Sequence, residues 1–104
     1  MARPKKCRCV GCSPDSTYFK PKGIPLIDLE EVVLNMDELE AVRLADCEGL
    51  YHEEAAKRMD VSRPTFGRIL GEARRKIAGA IIHGMALRIA TADEADNNTK
   101  EDVL

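Results

Sequence analysis

Residues 52–70, HEEAAKRMDVSRPTFGRIL, constrain the fold of this chain most strongly. Their apolar residues recur at helical spacing on both sides of a short break, which predicts two helices joined by a tight turn. We expect the first helix to run from about 52 to 59. Asp60 would take the turn, because aspartate tolerates a left-handed backbone better than most residues. Ser62 is a strong N-cap for the second helix, and Pro64 suits its first turn.

The second helix is predicted to be long. Its apolar face continues as far as Gly84, which we expect to end it. An earlier helix, from about 36 to 47, is predicted by the capping box that Asn35 and Glu38 can form. Gly49 is positioned to end that helix.

The sequence does not determine the secondary structure of the short segments on either side of these helices. Residues 32–34 form an apolar run that could be helix or strand, and residues 85–90 could be a strand or a helix end. An extended piece is expected at residues 17–20, inside a segment rich in proline and glycine. Length and pattern together favour one small domain.

The sequence therefore predicts an all-α domain with an irregular N-terminal arm. The basic, cysteine-containing arm covers residues 1–23, and the helical domain covers residues 24–90, with a helix-turn-helix at about 52–71. The polar and acidic tail, residues 91–104, is expected to be disordered.

Charge is distributed unevenly, although the net charge is only −2. Residues 1–23 and 61–90 each carry a net charge of +5, whereas residues 24–60 carry −8 and residues 91–104 carry −4. Local basic blocks of this kind are typical of nucleic-acid binding even where the overall isoelectric point is low. They could equally be solvated helix faces, and the charge pattern alone leaves both interpretations open.

Packing of the two central helices fixes which face of the second helix meets solvent. Small and apolar residues fall where the helices must touch, and they form the predicted mini-core: Ala55, Ala56, Met59, Val61, Phe66 and Ile69. The opposite face carries the candidate DNA-binding residues: Ser62, Arg63, Thr65, Gly67, Arg68, Arg74 and Arg75. Tyr51, His52 and Lys57 could add contacts to a nucleic-acid backbone.

The residue types on this outward face suit the major groove of DNA. Arg63 and Arg68 can pair bidentately with guanine, and Thr65 can contact a thymine methyl group or a phosphate. Gly67 and Gly71 leave a strip without side chains that a duplex backbone could approach. The helix N-terminus can bind phosphate directly. The alternative interpretation is an ordinary helical hairpin in a small bundle.

Two stretches carry a family resemblance. VSRPT at residues 61–65 and RILGEARRKI at residues 68–77 resemble the C-terminal helix-turn-helix, region 4, of bacterial sigma factors. The chain as far as about residue 90 also resembles a family of small prokaryotic proteins described as predicted DNA-binding. The matching pieces are RP at 3–4, FKPKGIPL at 19–26, DELEA at 37–41, EEAA at 53–56, SRPTFGRIL at 62–70 and ALRI at 86–89. Asp60 departs from this pattern, since glycine is usual in the turn.

The resemblance implies a sigma region 4-like fold and binding to double-stranded DNA. We therefore expect a sequence-specific transcriptional regulator. A homodimer is one open arrangement, with a surface formed by Ile77, Ile81, Ile82 and Met85, and a monomer that packs this face internally is the other. The main rival is a protein-interaction module that contacts the transcription machinery through the acidic block.

Four cysteines form a second chemical signal. Cys7, Cys9 and Cys12 lie within six residues of one another and could bind Zn²⁺ or an iron–sulfur cluster, with Cys47 as a fourth ligand. The usual second pair of ligands is absent, so we expect no metal and no cofactor. A metal- or redox-responsive regulator and an arm that contacts DNA remain alternatives.

Other function classes are disfavoured. No catalytic constellation stands out, so we do not expect an enzyme. Four aromatic residues are too few for a base-stacking platform. The N-terminus lacks the apolar stretch of a signal peptide, and no run approaches the roughly 18 apolar residues that span a bilayer. We therefore expect a cytoplasmic protein that does not bind membranes.

Overall fold

A computed structural model describes residue 11 and residues 14–91. Three helices and three short strands follow one another in this part of the chain: β1 Tyr18–Phe19, β2 Glu31–Leu34, α1 Met36–Val42, α2 His52–Met59, α3 Arg63–His83 and β3 Ala86–Ile89. A 3₁₀ turn, Leu26–Asp28, precedes β2, and a π-helical turn, Arg43–Cys47, extends α1. The tail predicted to be disordered lies outside the described residues, apart from Thr91.

The bounds of α2 and α3 confirm the helices predicted from the sequence. Asp60 adopts the left-handed backbone expected of it, with φ 59°. The Ser62 hydroxyl oxygen accepts a hydrogen bond from the Thr65 backbone N–H at 3.2 Å, which satisfies one of the free donors at the start of α3. Gly84 ends α3 with φ 65°. The local signals therefore fixed both ends of this helix.

The first helix also begins where its capping residues predicted. The Asn35 backbone N–H donates to Glu38 Oε1 at 2.9 Å. The helix continues through the π-helical turn to Cys47, and Gly49, with φ 77°, follows its end. This wider turn contains one carboxylate, Asp46, which has a role at the candidate site.

A three-stranded sheet corrects the prediction of an all-α domain. The protein is mostly helical, but β3 lies between the other strands and pairs antiparallel with β1 and parallel with β2. Leu34 lies opposite Ile89 in the register. Strands of two to four residues are too short to show a clear alternation, and their partners lie more than 50 residues apart along the chain. The sequence offered a strand as one option for residues 32–34 and 85–90 and an extended piece at residues 17–20, but local pattern alone could not reveal that they pair into one sheet.

Two clusters form the core, and they follow one another along the inward face of α3. Eight buried residues join α2, the end of α1 and the first half of α3: Ala41, Leu44, Ala55, Ala56, Met59, Phe66, Ile69 and Leu70. The second cluster, Leu34, Ala73 and Ile89, connects α3 to the sheet. Ile77 is half-buried and packs against this second cluster.

A buried ion pair supplements the second cluster. Lys76 Nζ lies 2.8 Å from Glu38 Oε1 and donates to the Val33 carbonyl oxygen, also at 2.8 Å. The side chains of Lys76 and Glu38 are only 19% and 9% exposed. One ammonium group therefore connects α3 to the start of α1 and to β2.

Candidate nucleic-acid interface

The orientation of α3 is the first requirement for the predicted interface. Phe66 and Ile69 are buried, and the His52 ring packs edge-on against Phe66 with 5.3 Å between ring centroids. Arg63, in the first turn, and Arg68, about 140° further round the helix, are both exposed. The helix therefore turns toward solvent the face that the sequence indicated.

Arg63 and Arg68 are not neutralised by acidic groups of the described residues. Arg63, the first residue of α3, forms no ion pair within residues 14–91. Arg68 donates to Thr65 Oγ1 at 3.3 Å, and the same oxygen accepts a hydrogen bond from the Ser62 hydroxyl at 2.9 Å. This chain of hydrogen bonds orients the Arg68 guanidinium beside the helix N-terminus.

Arg74 and Arg75 are exposed but paired, unlike Arg63 and Arg68. Arg74 donates to both carboxylate oxygens of Asp46, at 2.6 and 3.2 Å, and Arg75 pairs with Glu72. These hydrogen bonds hold the pKa values of Asp46 and Glu72 below their ordinary values. The two arginines can contact a phosphate only if they share or release these carboxylates.

Gly67 and Gly71 lie one turn apart on the exposed side of α3. No atom lies within 4 Å of the position that a Cβ would occupy at either residue, so the fold itself does not require glycine there. Glycine inside a helix costs about 1 kcal/mol relative to alanine. The strip therefore offers an external group close access to the helix backbone.

A groove of 610 Å³ lies beside the start of α3. Tyr51, which is 85% exposed, borders it at the N-terminus of α2, together with His52, Arg63 and Arg74. The Tyr51 side chain does not cap α2, so the first backbone N–H groups of that helix have no side-chain partner at the cap. The groove therefore combines backbone donors with two guanidinium groups and the carboxylate of Glu53.

Asp46 is the residue at this site that the sequence interpretation missed. It lies 28 residues before Arg74 and approaches it only because the π-helical turn packs near α3. No local motif couples two residues at that separation. The acidic character of the 24–60 block was visible, but its contact with a candidate DNA-binding residue was not.

The predicted cysteine site lies mostly outside the described residues. Cys7, Cys9 and Cys12 fall there, and Cys47 is an exposed free thiol on the π-helical turn. Among residues that the structure describes, no three histidine, cysteine, aspartate or glutamate side chains are grouped to hold a metal ion. No helix in residues 14–91 combines the length and apolar character needed to cross a membrane.

Fold and surface define a mostly helical protein with a small sheet and a long last helix that exposes arginines at its N-terminal end. The chain belongs to the family described as "Protein of unknown function DUF134", which it matches over residues 1–96.

Relatives with high identity are UPF0251 proteins. The protein from Pelotomaculum thermopropionicum is 61% identical over 89 residues, and this alignment covers 86% of the chain and 67% of the relative. The one from Prosthecochloris aestuarii is 62% identical over 87 residues, covering 84% and 56%. The one from Thermoanaerobacter pseudethanolicus is 54% identical over 89 residues, covering 86% and 75%. The chain thus spans between about half and three quarters of these relatives. No solved structure matches it significantly.

Proposed function

We propose that this protein binds double-stranded DNA in a sequence-specific manner and regulates transcription. The observation that carries the proposal is the pair of exposed arginines, Arg63 and Arg68, on the outward face of a helix whose inward face is fully packed. Guanidinium groups near the start of a helix, with no carboxylate partner among residues 14–91, suit guanine in the major groove. The resemblance to sigma factor region 4 suggests the same use of α2 and α3.

In this arrangement, the N-terminal half of α3 enters the major groove. Arg63 and Arg68 contact base edges, and the hydrogen bond from Arg68 to Thr65 limits the conformations that the guanidinium must give up on binding. Gly67 and Gly71 let the duplex backbone approach the helix. The glycine strip supports this role because no side chain or neighbouring element in the described part of the chain lies close enough to require glycine there.

Contacts to the phosphate backbone would come from the groove at the start of α2. Tyr51, the N-terminal backbone groups of α2 and Arg74 lie on its rim. Phosphate contacts position a protein on the duplex but do not read its sequence. We therefore assign specificity to Arg63 and Arg68, and affinity mainly to Tyr51 and Arg74.

The decisive experiment selects ligands from random duplexes and measures affinity for the selected duplex by fluorescence anisotropy. Arg63→Ala and Arg68→Ala are each expected to weaken binding by about 1–3 kcal/mol and to relax selectivity at one base position. Lys22→Ala is the matched control, because it removes one exposed positive charge from the turn after β1. Equal affinity and selectivity in all three variants would contradict the assigned reading face.

Salt dependence separates DNA binding from the rival role as a protein-interaction module. For a DNA complex, the logarithm of the binding constant should fall linearly with the logarithm of salt concentration, with a slope of about −0.9 for each phosphate contact. The slope should become shallower by roughly one in Arg74→Ala. An apolar docking surface would produce no such slope, and docking of a protein partner on the acidic block would depend on salt but would be unaffected by Arg63→Ala and Arg68→Ala, which lie outside that block.

A further inference from the structure

The C-terminal end of α3 carries an apolar surface that no described part of the chain covers. Ile81 and Ile82 are 74% and 75% exposed, and Phe19 on β1 is 52% exposed. A groove of 510 Å³ lies beside Ile81, between α3 and Phe19, and a groove of 640 Å³ lies beside Ile82, between α3 and Val32. We call this surface the apolar end of α3, because Ile81 and Ile82 are its most exposed members. It also includes Phe19 on β1, Val32 on β2 and Met85.

We propose that the apolar end of α3 joins two copies of this chain in a two-fold symmetric dimer. Its role in DNA recognition rests on the proposed function, but the dimer can be measured without DNA. The argument depends on the shape of the surface, on its charge and on the distance to the reading residues.

Shape favours a second copy as the occupant. A two-fold interface places the same patch of both copies together, so the patch must be complementary to itself. Ile81 and Ile82 form a ridge with a groove on each side, so each copy offers both a projection and a recess. Ala78 and Gly79 line the second groove, and no atom lies within 4 Å of a Cβ placed at Gly79. A neighbouring helix can therefore approach closely.

The charge of the surface also favours a copy of the same chain. The carboxylate, guanidinium and ammonium groups that border the groove at Ile82 each have a partner within their own chain: Glu31 pairs with Arg88, Arg75 with Glu72 and Lys76 with Glu38. A strongly charged partner would therefore gain few ion pairs here. Two identical copies can meet without uncompensated repulsion, and homodimer interfaces are typically apolar at their centres.

The position of the surface on α3 is compatible with reading two DNA half-sites. Ile82 follows Arg75 and Arg68 at intervals of seven residues, so the same side of the helix changes from basic to apolar along its length. Arg63 lies about 28 Å from Ile82 along the helix axis. Two copies joined at Ile82 can therefore place their Arg63 residues up to about 56 Å apart, and this range includes the roughly 34 Å between half-sites.

Sedimentation equilibrium of the full chain without DNA tests the dimer directly. We expect reversible dimers at concentrations of about 10–500 μM, and Ile82→Glu should raise the dimer dissociation constant at least about tenfold by placing a carboxylate in the apolar interface. Ile27→Glu is the matched control, because Ile27 is 90% exposed on the 3₁₀ turn and lies outside both grooves. Circular dichroism should show that both variants remain folded.

Three outcomes overturn the proposal: a monomer throughout this concentration range, a larger assembly, or a dimer that Ile82→Glu does not weaken. A dimer that fails to bind any selected duplex contradicts the proposed function and leaves the interface supported. Binding of a selected duplex by a protein that remains monomeric supports the proposed function and contradicts the dimer. If the protein both forms the dimer and binds DNA, Ile82→Glu should reduce its affinity for an inverted repeat more than its affinity for a single half-site.

Discussion

The two halves of α3 share an apolar inward face but differ in what they expose. The N-terminal half presents Arg63, Arg68 and a strip of glycine, whereas the C-terminal half presents Ile81 and Ile82. Helical spacing alone distinguishes inside from outside, and the residue types along the outward face show where the surface changes from basic to apolar. The difference shows that one amphipathic helix can provide two unrelated surfaces.

The two halves of α3 also pack against different core clusters. Phe66 packs into the cluster shared by α1, α2 and α3, while Ala73 and Ile77 pack against the sheet. The ion pair between Lys76 and Glu38 lies beside the second cluster. A substitution that weakens one core cluster should therefore disturb the exposed surface on the same half of α3 more than the surface on the other half. The following predictions test that separation.

Phe66→Ala should have the largest effect on the first core. Phe66 is fully buried, so its truncation should reduce the free energy of unfolding by about 3–5 kcal/mol and the melting temperature by at least about 12 °C. Ile81→Ala, at an exposed position of the other half, should change it by less than about 0.5 kcal/mol at protein concentrations of about 1 μM, below the range in which we expect dimers. Urea denaturation measures both. Similar losses in the two variants would remove the distinction between the halves.

Lys76→Met should have the next largest effect, on the second core. It leaves the buried Glu38 carboxylate without its ammonium partner, at a cost of about 3 kcal/mol in the free energy of unfolding. Adding Glu38→Gln should recover much of this loss, because glutamine carries no charge and can still accept from the Asn35 N–H. A double-mutant cycle by urea denaturation checks the coupling. Purely additive losses would show that the pair is not coupled.

Ser62→Ala should have a smaller effect at the start of α3. It removes the oxygen that accepts from the Thr65 N–H, so the free energy of unfolding should fall by about 1 kcal/mol. Ser62→Thr retains a hydroxyl and should lose less. Thermal melts followed by circular dichroism compare the variants. An unchanged melting curve for Ser62→Ala would argue against the capping role.

Asp46→Asn should have the smallest effect, and it depends on pH. The hydrogen bond from Arg74 holds the pKa of Asp46 below its ordinary value of 3.8. The pair therefore adds stability above that ordinary value and loses it as pH falls through the lowered one. The Asp46 side chain is 41% exposed, so the contribution should stay below about 1 kcal/mol.

The acid-unfolding profile provides the measurement for this pair. Asp46→Asn should lose less stability than the unmodified chain as pH falls from about 5 to about 2, and Arg74→Gln should show the same reduced loss because it removes the pair from the other side. Profiles that differ between the two variants would indicate that each residue has other important interactions in this pH range.

The sequence predicted α2 and α3 well because short-range chemistry determines their ends. Ser62 supplies a cap three residues from its donor, Asp60 accepts a left-handed backbone, and Gly84 does the same after α3. Each signal acts within one helical turn. The orientation of α3 followed from the same short stretch, because Phe66 and Ile69 could only lie inside if Arg63 and Arg68 lay outside.

The sheet and the state of the outward arginines could not be predicted in this way. The pairing of β2 with β3 brings together residues on either side of the whole helical segment. The contact of Arg74 with Asp46 depends on a π-helical turn, which no spacing in the sequence indicated. Both features depend on how the helices pack, so they follow from tertiary structure rather than from local propensity.

The ammonium group of Lys76 has a consequence for how the sheet meets other chains. In a parallel pairing, carbonyl groups alternate in direction, so the Val33 oxygen points away from β3 toward the outer side of β2. An unoccupied carbonyl there would help a foreign strand to add to the sheet. Because Lys76 already donates to this oxygen, the outer side of β2 offers one acceptor fewer to such a strand, and the lysine that occupies it also pairs with Glu38 on α1.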